Sequence, residues 1–327
     1  MPEKNIIQTI HDTLAEEMRR DDRVIVLGED VGARGGVFRA TMGFLDEFGP
    51  DRVIDTPLDE CLIAGVAIGL AIDDMRPVAE MQFADFSFPG FNQIIQEAAR
   101  IRYRSNGDFG VPLVFRAPWG GGVHGALYHS QSVEAFYAHV PGLKVVAPST
   151  PEDARGMLIQ AIEDPDPVIF LEHKKTYRLI KGEVSDDRYT TPFGKAAIRR
   201  EGSDLTVVSY GLMHHFCVEA AERLSGEGIE AEVIDLRSIY PLDMDTVLTS
   251  VGKTSKAMIV YEDNKFLGLG AEVAAQIAEN ALFELDGPIV RIGGPHIPAM
   301  PFAPTLEPWF LPDVDHIEQQ MRKLAEF

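Results

Sequence analysis

Cysteine is nearly missing from this sequence: Cys61 and Cys217 are the only two in 327 residues. They show no CxxC spacing, and two cysteines this far apart exclude a disulfide framework and a zinc finger. Both are expected to be reduced core thiols of a cytoplasmic protein. Basic residues are also short: Lys plus Arg is 30 against 51 Asp plus Glu, a net charge of −21. Binding to nucleic acid depends on basic patches that displace counterions, so the reading is no nucleic-acid partner, and an anionic membrane surface is disfavoured for the same reason. A basic protein partner is compatible with this charge. Long apolar runs are absent. The longest, 61–72, ends at Asp73 and Asp74, short of the ~18–20 residues a membrane span needs, and is expected to be a buried helix. The start, Met1-Pro2-Glu3-Lys4-Asn5, lacks the pattern of a signal peptide. No Walker lysine, GxSxG, HExxH or EF-hand loop occurs, so the commonest hydrolase and metal signatures do not apply.

What the chain does contain is a regular alternation of short β-branched runs with helical patterns. Residues 24–27, 78–81, 113–115 and 168–171 read as strands without polar alternation, as in parallel sheets covered on both faces. Residues 5–19, 91–104 and 152–162 read as helices, the last preceded by Ser149 and Thr150 as caps. The charged, aperiodic stretch from Lys174 to Phe193 breaks the rhythm, with Gly182 and Pro192 inside it, and reads as a linker. Beyond it, strands at 205–208, 231–234, 258–260 and 289–290 alternate with helices at 213–224, 243–251 and 271–283. The expected fold class is therefore α/β, in two three-layer α/β domains: residues 1–180, a linker at 181–193, and residues 194–327.

Three segments carry candidate chemistry. Glu60 opens the apolar helix after Asp55-Thr56-Pro57-Leu58-Asp59, at a helix N-terminus where a carboxylate is favoured; an exposed first-turn glutamate is the plain alternative. Residues 80–90 run from a strand into a turn rich in aromatic and polar groups, where ligands of open α/β sheets bind. Gln82 and Phe86 there can hold and stack a flat heterocycle; ordinary core aromatics are the alternative. Residues 117–132 follow another strand and place His124 and His129 beside Gly120, Gly121 and Gly122. Histidine is the commonest general acid or base, although either ring can equally be structural. These residues do not by themselves define a reaction.

Together the segments resemble a known family, the β subunit of the thiamin-diphosphate-dependent E1 component of 2-oxo acid dehydrogenase complexes. The resemblance is carried by Val26-Leu27-Gly28-Glu29-Asp30, Asp55-Thr56-Pro57-Leu58 with Glu60, Glu80-Met81-Gln82-Phe83-Ala84-Asp85, Arg102-Tyr103-Arg104-Ser105, the stretch from His124 to Ser132, Pro141 to Val146, and Val233 to Arg237 with Pro241. Residues 82–85, 102–105 and 124–132 look closer to the branched-chain members than to the pyruvate members. The resemblance implies a transketolase-like pyrimidine-binding domain followed by a transketolase C-terminal-like domain. It implies an α2β2 heterotetramer with an E1 α subunit, which acylates the lipoyl group of the E2 dihydrolipoyl acyltransferase. Neither the GDG nor the NN element that holds Mg²⁺ on thiamin diphosphate occurs in this chain. The α subunit is therefore expected to supply the Mg²⁺ half of the site.

Residue by residue, the resemblance implies that Glu60 bonds N1′ of the aminopyrimidine, and that Leu58, Gln82 and Phe86 contact the cofactor. Phe86 stands where branched-chain members carry Tyr. His129 matches the histidine that protonates the lipoyl group. Leu113, Ala161, Ile162, Asp164 and Asp166 match a structural cation site, expected to take K⁺; Asp166 stands where Asn is frequent. The expected activity is oxidative decarboxylation of branched-chain 2-oxo acids. Pyruvate or acetoin specificity is the nearest alternative, and a non-catalytic assembly subunit is the alternative of another class. The C-terminus, ending at Phe327, is a candidate docking surface for E2.

Overall fold

The computed structural model describes residues 2–327 and divides into two compact units. The first runs up to Trp119 and resumes over Phe136–Phe193; the second comprises Gly120–Ala135 and Gly194–Phe327.

The first unit is built on parallel strands β1 (Val24–Gly28), β2 (Val53–Asp55), β3 (Arg76–Glu80), β4 (Val114–Trp119), β5 (Lys144–Val146) and β6 (Val168–His173). Their order across the sheet is β5-β6-β4-β3-β1-β2. Val24, Val26, Val78, Val114, Val168 and Phe170 pack into one core with helices α1 (Ile6–Arg20) and α3 (Pro151–Glu163). The residues between them, such as Ile25, Leu27, Ala79 and Phe115, are equally buried. Both faces are covered, which is why these strands carry no polar alternation. On β3 packs helix α2 (Glu60–Ile72).

Helix α1 starts at a capping box: Asn5 Oδ1 accepts from Gln8 N at 2.9 Å while Gln8 Oε1 accepts from Asn5 N at 3.1 Å. Helix α3 starts at Thr150, whose hydroxyl accepts from Asp153 N at 3.2 Å, with Pro151 in the first turn.

The second unit holds β7 (Ala197–Arg200), β8 (Leu205–Ser209), β9 (Ala231–Asp235), β10 (Ala257–Asn264) and β11 (Val290–Gly294) in the order β11-β10-β8-β9-β7. Only β7 is antiparallel, paired with β9. Helices α4 (Gly211–Ser225) and α7 (Val314–Ala325) close one core against β8, β9 and β10, while α5 (Met244–Thr254) and α6 (Leu269–Ala281) pack against the sheet strands and each other.

Several expectations change. Residues 181–193 are not a free connection: Lys181–Glu183 pairs antiparallel with Glu3–Asn5, and Arg188 bonds Glu17 at 2.8 Å and Glu163 at 2.6 Å. Charge that reads as loop composition is here spent on ion pairs. Residues 120–135 cluster with the second unit rather than the first. The 91–104 pattern forms a π-helical segment, Gln93–Ala98, and a single α-turn, Ile101–Arg104. Helix α2 is not buried all round: Cys61, Leu62, Val66 and Ile72 are exposed. Cys61 is thus a surface thiol, whereas Cys217 is the buried one, its thiol pushed up to about 12 by desolvation.

Candidate active site

In the first unit the carboxyl ends of β2 and β3 lead into the segments that carry most of the expected site residues. After β2, Pro57 and Asp59 shape the entry to α2. Asp59 N bonds Pro57 O at 2.9 Å, and Asp59 Oδ1 caps the helix by accepting from Leu62 N at 3.0 Å. Glu60, the first helical residue, is only 8% exposed. Its main chain is pinned from the other side by Gly90, where an added Cβ would lie 2.7 Å from Glu60 O. Leu58 is 74% exposed, so it offers an apolar surface without a partner side in this unit. Gln82 and Phe86 are half-buried in the turn after β3. Phe86 stands edge-on to Phe83 at 5.4 Å, and Phe83 in turn to Phe38 at 5.6 Å.

A carboxylate that sequence reasoning left without a role, Glu29, belongs to this region. It follows β1, and its pKa is raised by burial and by the charges of Asp30 and Glu60. Its signal in the sequence was position: a Gly-Glu-Asp run at the carboxyl end of a buried strand. Below these segments lies a buried ion cluster. Arg116 bonds Glu172 at 2.6 and 2.8 Å and Glu80 at 2.8 Å, and Tyr177 donates to Glu172 at 2.6 Å. Burial raises the pKa of Glu80 although the Arg116 charge opposes this. The cluster fixes β3, β4 and β6 to one another near the ends that carry the site.

The residue types and burial here fit the pyrimidine half of thiamin diphosphate. A nearly buried carboxylate, a half-buried amide and ring, and an exposed leucine lie in the segments that leave β2 and β3, the two strands flanking β1. A carboxylate so placed interacts strongly with a heterocyclic nitrogen because little water competes.

The expected cation ligands lie together at the turn after α3. Asp164 Oδ1 is 2.6 Å from Lys144 Nζ, and Asp166 Oδ2 is 3.5 Å from it. Arg102 pairs with Asp166 and donates to Pro165 O at 3.0 Å. Leu113 O accepts from Val168 N, Ile162 O from Arg76, and Ala161 O from Asp164 N at 3.3 Å. Protein cations already match both carboxylates, and each expected carbonyl has a donor. A carbonyl oxygen that accepts one N–H keeps a second lone pair, so these bonds leave the three carbonyls able to coordinate a cation. Among the described residues, no group of three or more His, Cys, Asp or Glu side chains is placed to hold a metal ion.

His129 sits in the second unit, half-buried, just after the single 3₁₀ turn Ala126–Tyr128. Its loop is held by carboxylates of the same unit. Gly121 N donates to Glu262, and Gly122 N and His124 N donate to Glu307 Oε1 at 3.0 and 3.1 Å. His124 Nδ1 is 2.5 Å from Glu307 Oε2. Nearby, Tyr210 donates to Glu134 at 2.7 Å. Burial, reinforced by the Asp263 charge, pushes Glu134 well above the usual carboxylate range. Burial and the Glu262 charge push Asp263 up to about 6, against the opposing Asn264 N–H bond. Of the predicted residues, Leu58, Glu60, Gln82 and Phe86 thus belong to the first unit and His129 to the second.

Comparison with known proteins also divides the chain in two, but it keeps residues 120–135, with His129, inside the first match. Residues 3–180 match the family "Transketolase, pyrimidine binding domain", and residues 194–317 match "Transketolase, C-terminal domain". The chain is 59% identical to the 2-oxoisovalerate dehydrogenase subunit beta of Bacillus subtilis, over 98% of each chain. It is 46% identical to the pyruvate dehydrogenase E1 component subunit beta of the same organism, over the whole of both. Among solved structures it is similar to a split-gene transketolase described as an inactive beta4 tetramer, with a TM-score of 0.80 and 23% identity over 98% of each chain. That similarity supports the fold alone.

Proposed function

The chain belongs to the transketolase-like β subunits of the 2-oxo acid dehydrogenases, and from that premise we propose that it serves a branched-chain E1 component. In this reading it joins an E1 α subunit as α2β2 in the cytoplasm, decarboxylates 2-oxo acids such as 3-methyl-2-oxobutanoate, and acylates the lipoyl group of E2. The observation that carries it is the 59% identity along 98% of the chain, against 46% for the pyruvate counterpart.

Thiamin diphosphate, when bound with the α subunit's Mg²⁺, supplies the electron sink for decarboxylation. This chain's residues do the rest of their half. Glu60 accepts a hydrogen bond from the pyrimidine ring and holds it in one protonation state. Desolvation of the carboxylate keeps water from competing for that bond. Leu58 and Phe86 give apolar contact to the ring faces, and Gln82 bonds its polar edge. The Phe at position 86 retains contact area but offers no hydroxyl. His129 holds the proton that a lipoyl sulfur needs when the acyl group arrives.

Two assays with the assembled α2β2 enzyme test the reading. With 3-methyl-2-oxobutanoate and pyruvate compared at equal concentration, kcat/KM is expected to favour the branched substrate; a preference for pyruvate overturns the substrate assignment. Glu60→Ala is expected to abolish decarboxylation while α2β2 still assembles. Full turnover in that variant would favour a non-catalytic assembly role instead.

A further inference from the structure

The loop that carries His129 is held in a backbone conformation it would not adopt alone. His124 and Ala126 both have φ of 56°, in the left-handed region that non-glycine residues rarely occupy. Such strain persists only where surrounding contacts over-determine it. Here those contacts converge on one buried side chain. Glu307, 2% exposed, accepts the Gly122 and His124 N–H groups with one carboxylate oxygen and meets His124 Nδ1 with the other. Gly120 N closes the loop base on Gln131 O at 3.1 Å, and Glu262 takes the Gly121 N–H.

The clamp reaches His129 through Gly125. A Cβ at Gly125 would lie 2.6 Å from His129 O, 2.7 Å from His129 Cβ and 2.7 Å from Ser130 Oγ. The residue after His124 therefore lies directly against the backbone of His129, with no room for a methyl group. Fixing residues 122–124 fixes 125, and 125 fixes the place from which the His129 ring projects.

We propose that Glu307 is a positioning residue for His129: its carboxylate clamps residues 122–124, and through Gly125 sets the imidazole for proton transfer during acyl transfer to the lipoyl group. This rests on the reading of His129 given above. It also gives a role to His124, whose ring is the exposed outer jaw of the clamp, with 56% of its side chain accessible.

The test uses the assembled α2β2 enzyme and follows two reactions: acylation of an isolated lipoyl domain, and decarboxylation read with an artificial electron acceptor. Glu307→Ala is expected to lower acylation by about tenfold or more beyond any loss in decarboxylation, because a displacement near 1 Å can cost up to about a hundredfold. Glu307→Gln keeps an oxygen for the two N–H groups and is expected to restore most of the loss. Gly125→Ala leaves Glu307 intact, crowds His129 and is expected to give the same split as Glu307→Ala; it carries the test if Glu307→Ala does not fold. Amide hydrogen exchange at Gly122 and His124 is expected to quicken in Glu307→Ala. If His129→Ala shows the split while Glu307→Ala and Gly125→Ala do not, the clamp is overturned and the His129 reading stands. If His129→Ala lowers both reactions equally, the His129 reading is overturned, and this role of Glu307 with it. Unchanged exchange at Gly122 and His124 in a folded Glu307→Ala overturns the clamp whatever the activities show.

Discussion

Arg116 is one cation between two buried carboxylates. Replacing it with Met would leave Glu80 and Glu172 without their charge partner, and removing one member of a buried pair typically costs about 3–5 kcal/mol. Arg116→Met is expected to lose that much in urea denaturation; a loss under about 1 kcal/mol would show that Tyr177 and protonation of Glu80 suffice. Asp263 offers a pH test of opposite character. Its pKa is about 6 in the fold, above the ordinary carboxylate value. The folded state therefore binds more protons than the unfolded one between those values, and this group's contribution to stability falls as pH rises from about 4 to about 6. Asp263→Asn removes that dependence. Its stability relative to the parent is expected to improve from pH 4 to pH 6.5 and then level off; a parallel pair of stability curves would contradict the assignment.

At the scale of elements, the cap of α1 rests on one side chain. Asn5→Ala removes half of a reciprocal pair and is expected to cost about 1 kcal/mol, read as a lower denaturation midpoint at unchanged slope. Elements whose local chemistry agrees with their packing were legible in the sequence. The strands at 24–27 and 168–171 fall within β1 and β6, and Thr150 caps α3 as its spacing predicts. The entry of Glu60 into α2 was also readable, because Pro57 and Asp59 are local signals. What was not readable depends on distance. The antiparallel partner of 181–183 is at the far end of the chain, and Glu307 is 183 positions from the His124 N–H it accepts. The π-helical segment at 93–98 carries the same apolar spacing as an α-helix, so periodicity could not reveal it. The ion pairs at Asp164 and Asp166 were hidden by distance too: Lys144 and Arg102 reach them from 20 and 64 positions away.

At the scale of the whole chain, net charge and exposed apolar surface act together. Helix α2 buries Ile63, Ala64, Ala67 and Ile68 but leaves Leu62, Val66 and Ile72 in contact with solvent. A helix that is apolar all round belongs in a buried setting, and a subunit that works with others can supply one. Val66→Glu is expected to leave the far-ultraviolet circular dichroism of the chain unchanged while weakening its co-purification with the α subunit by about tenfold or more. Undiminished co-purification would place the interface elsewhere. A surplus of negative charge opposes self-association through that surface.

The outer strand of the second sheet has a consequence for the chain before it finds its partners. An open strand edge is a template on which identical molecules can stack. Strand β7 is only four residues long, its pairing with β9 is interrupted by a register shift, and it ends in Arg199 and Arg200. Arg200 folds inward onto Ala231 O at 2.7 Å and pairs with Glu230, and Arg199 lies 3.8 Å from Asp235. A short, bent border of this kind, its arginines tied inward to carboxylates, is a poor template for a second copy of itself. This edge of the second sheet is thereby a weak site for strand-by-strand stacking of identical subunits.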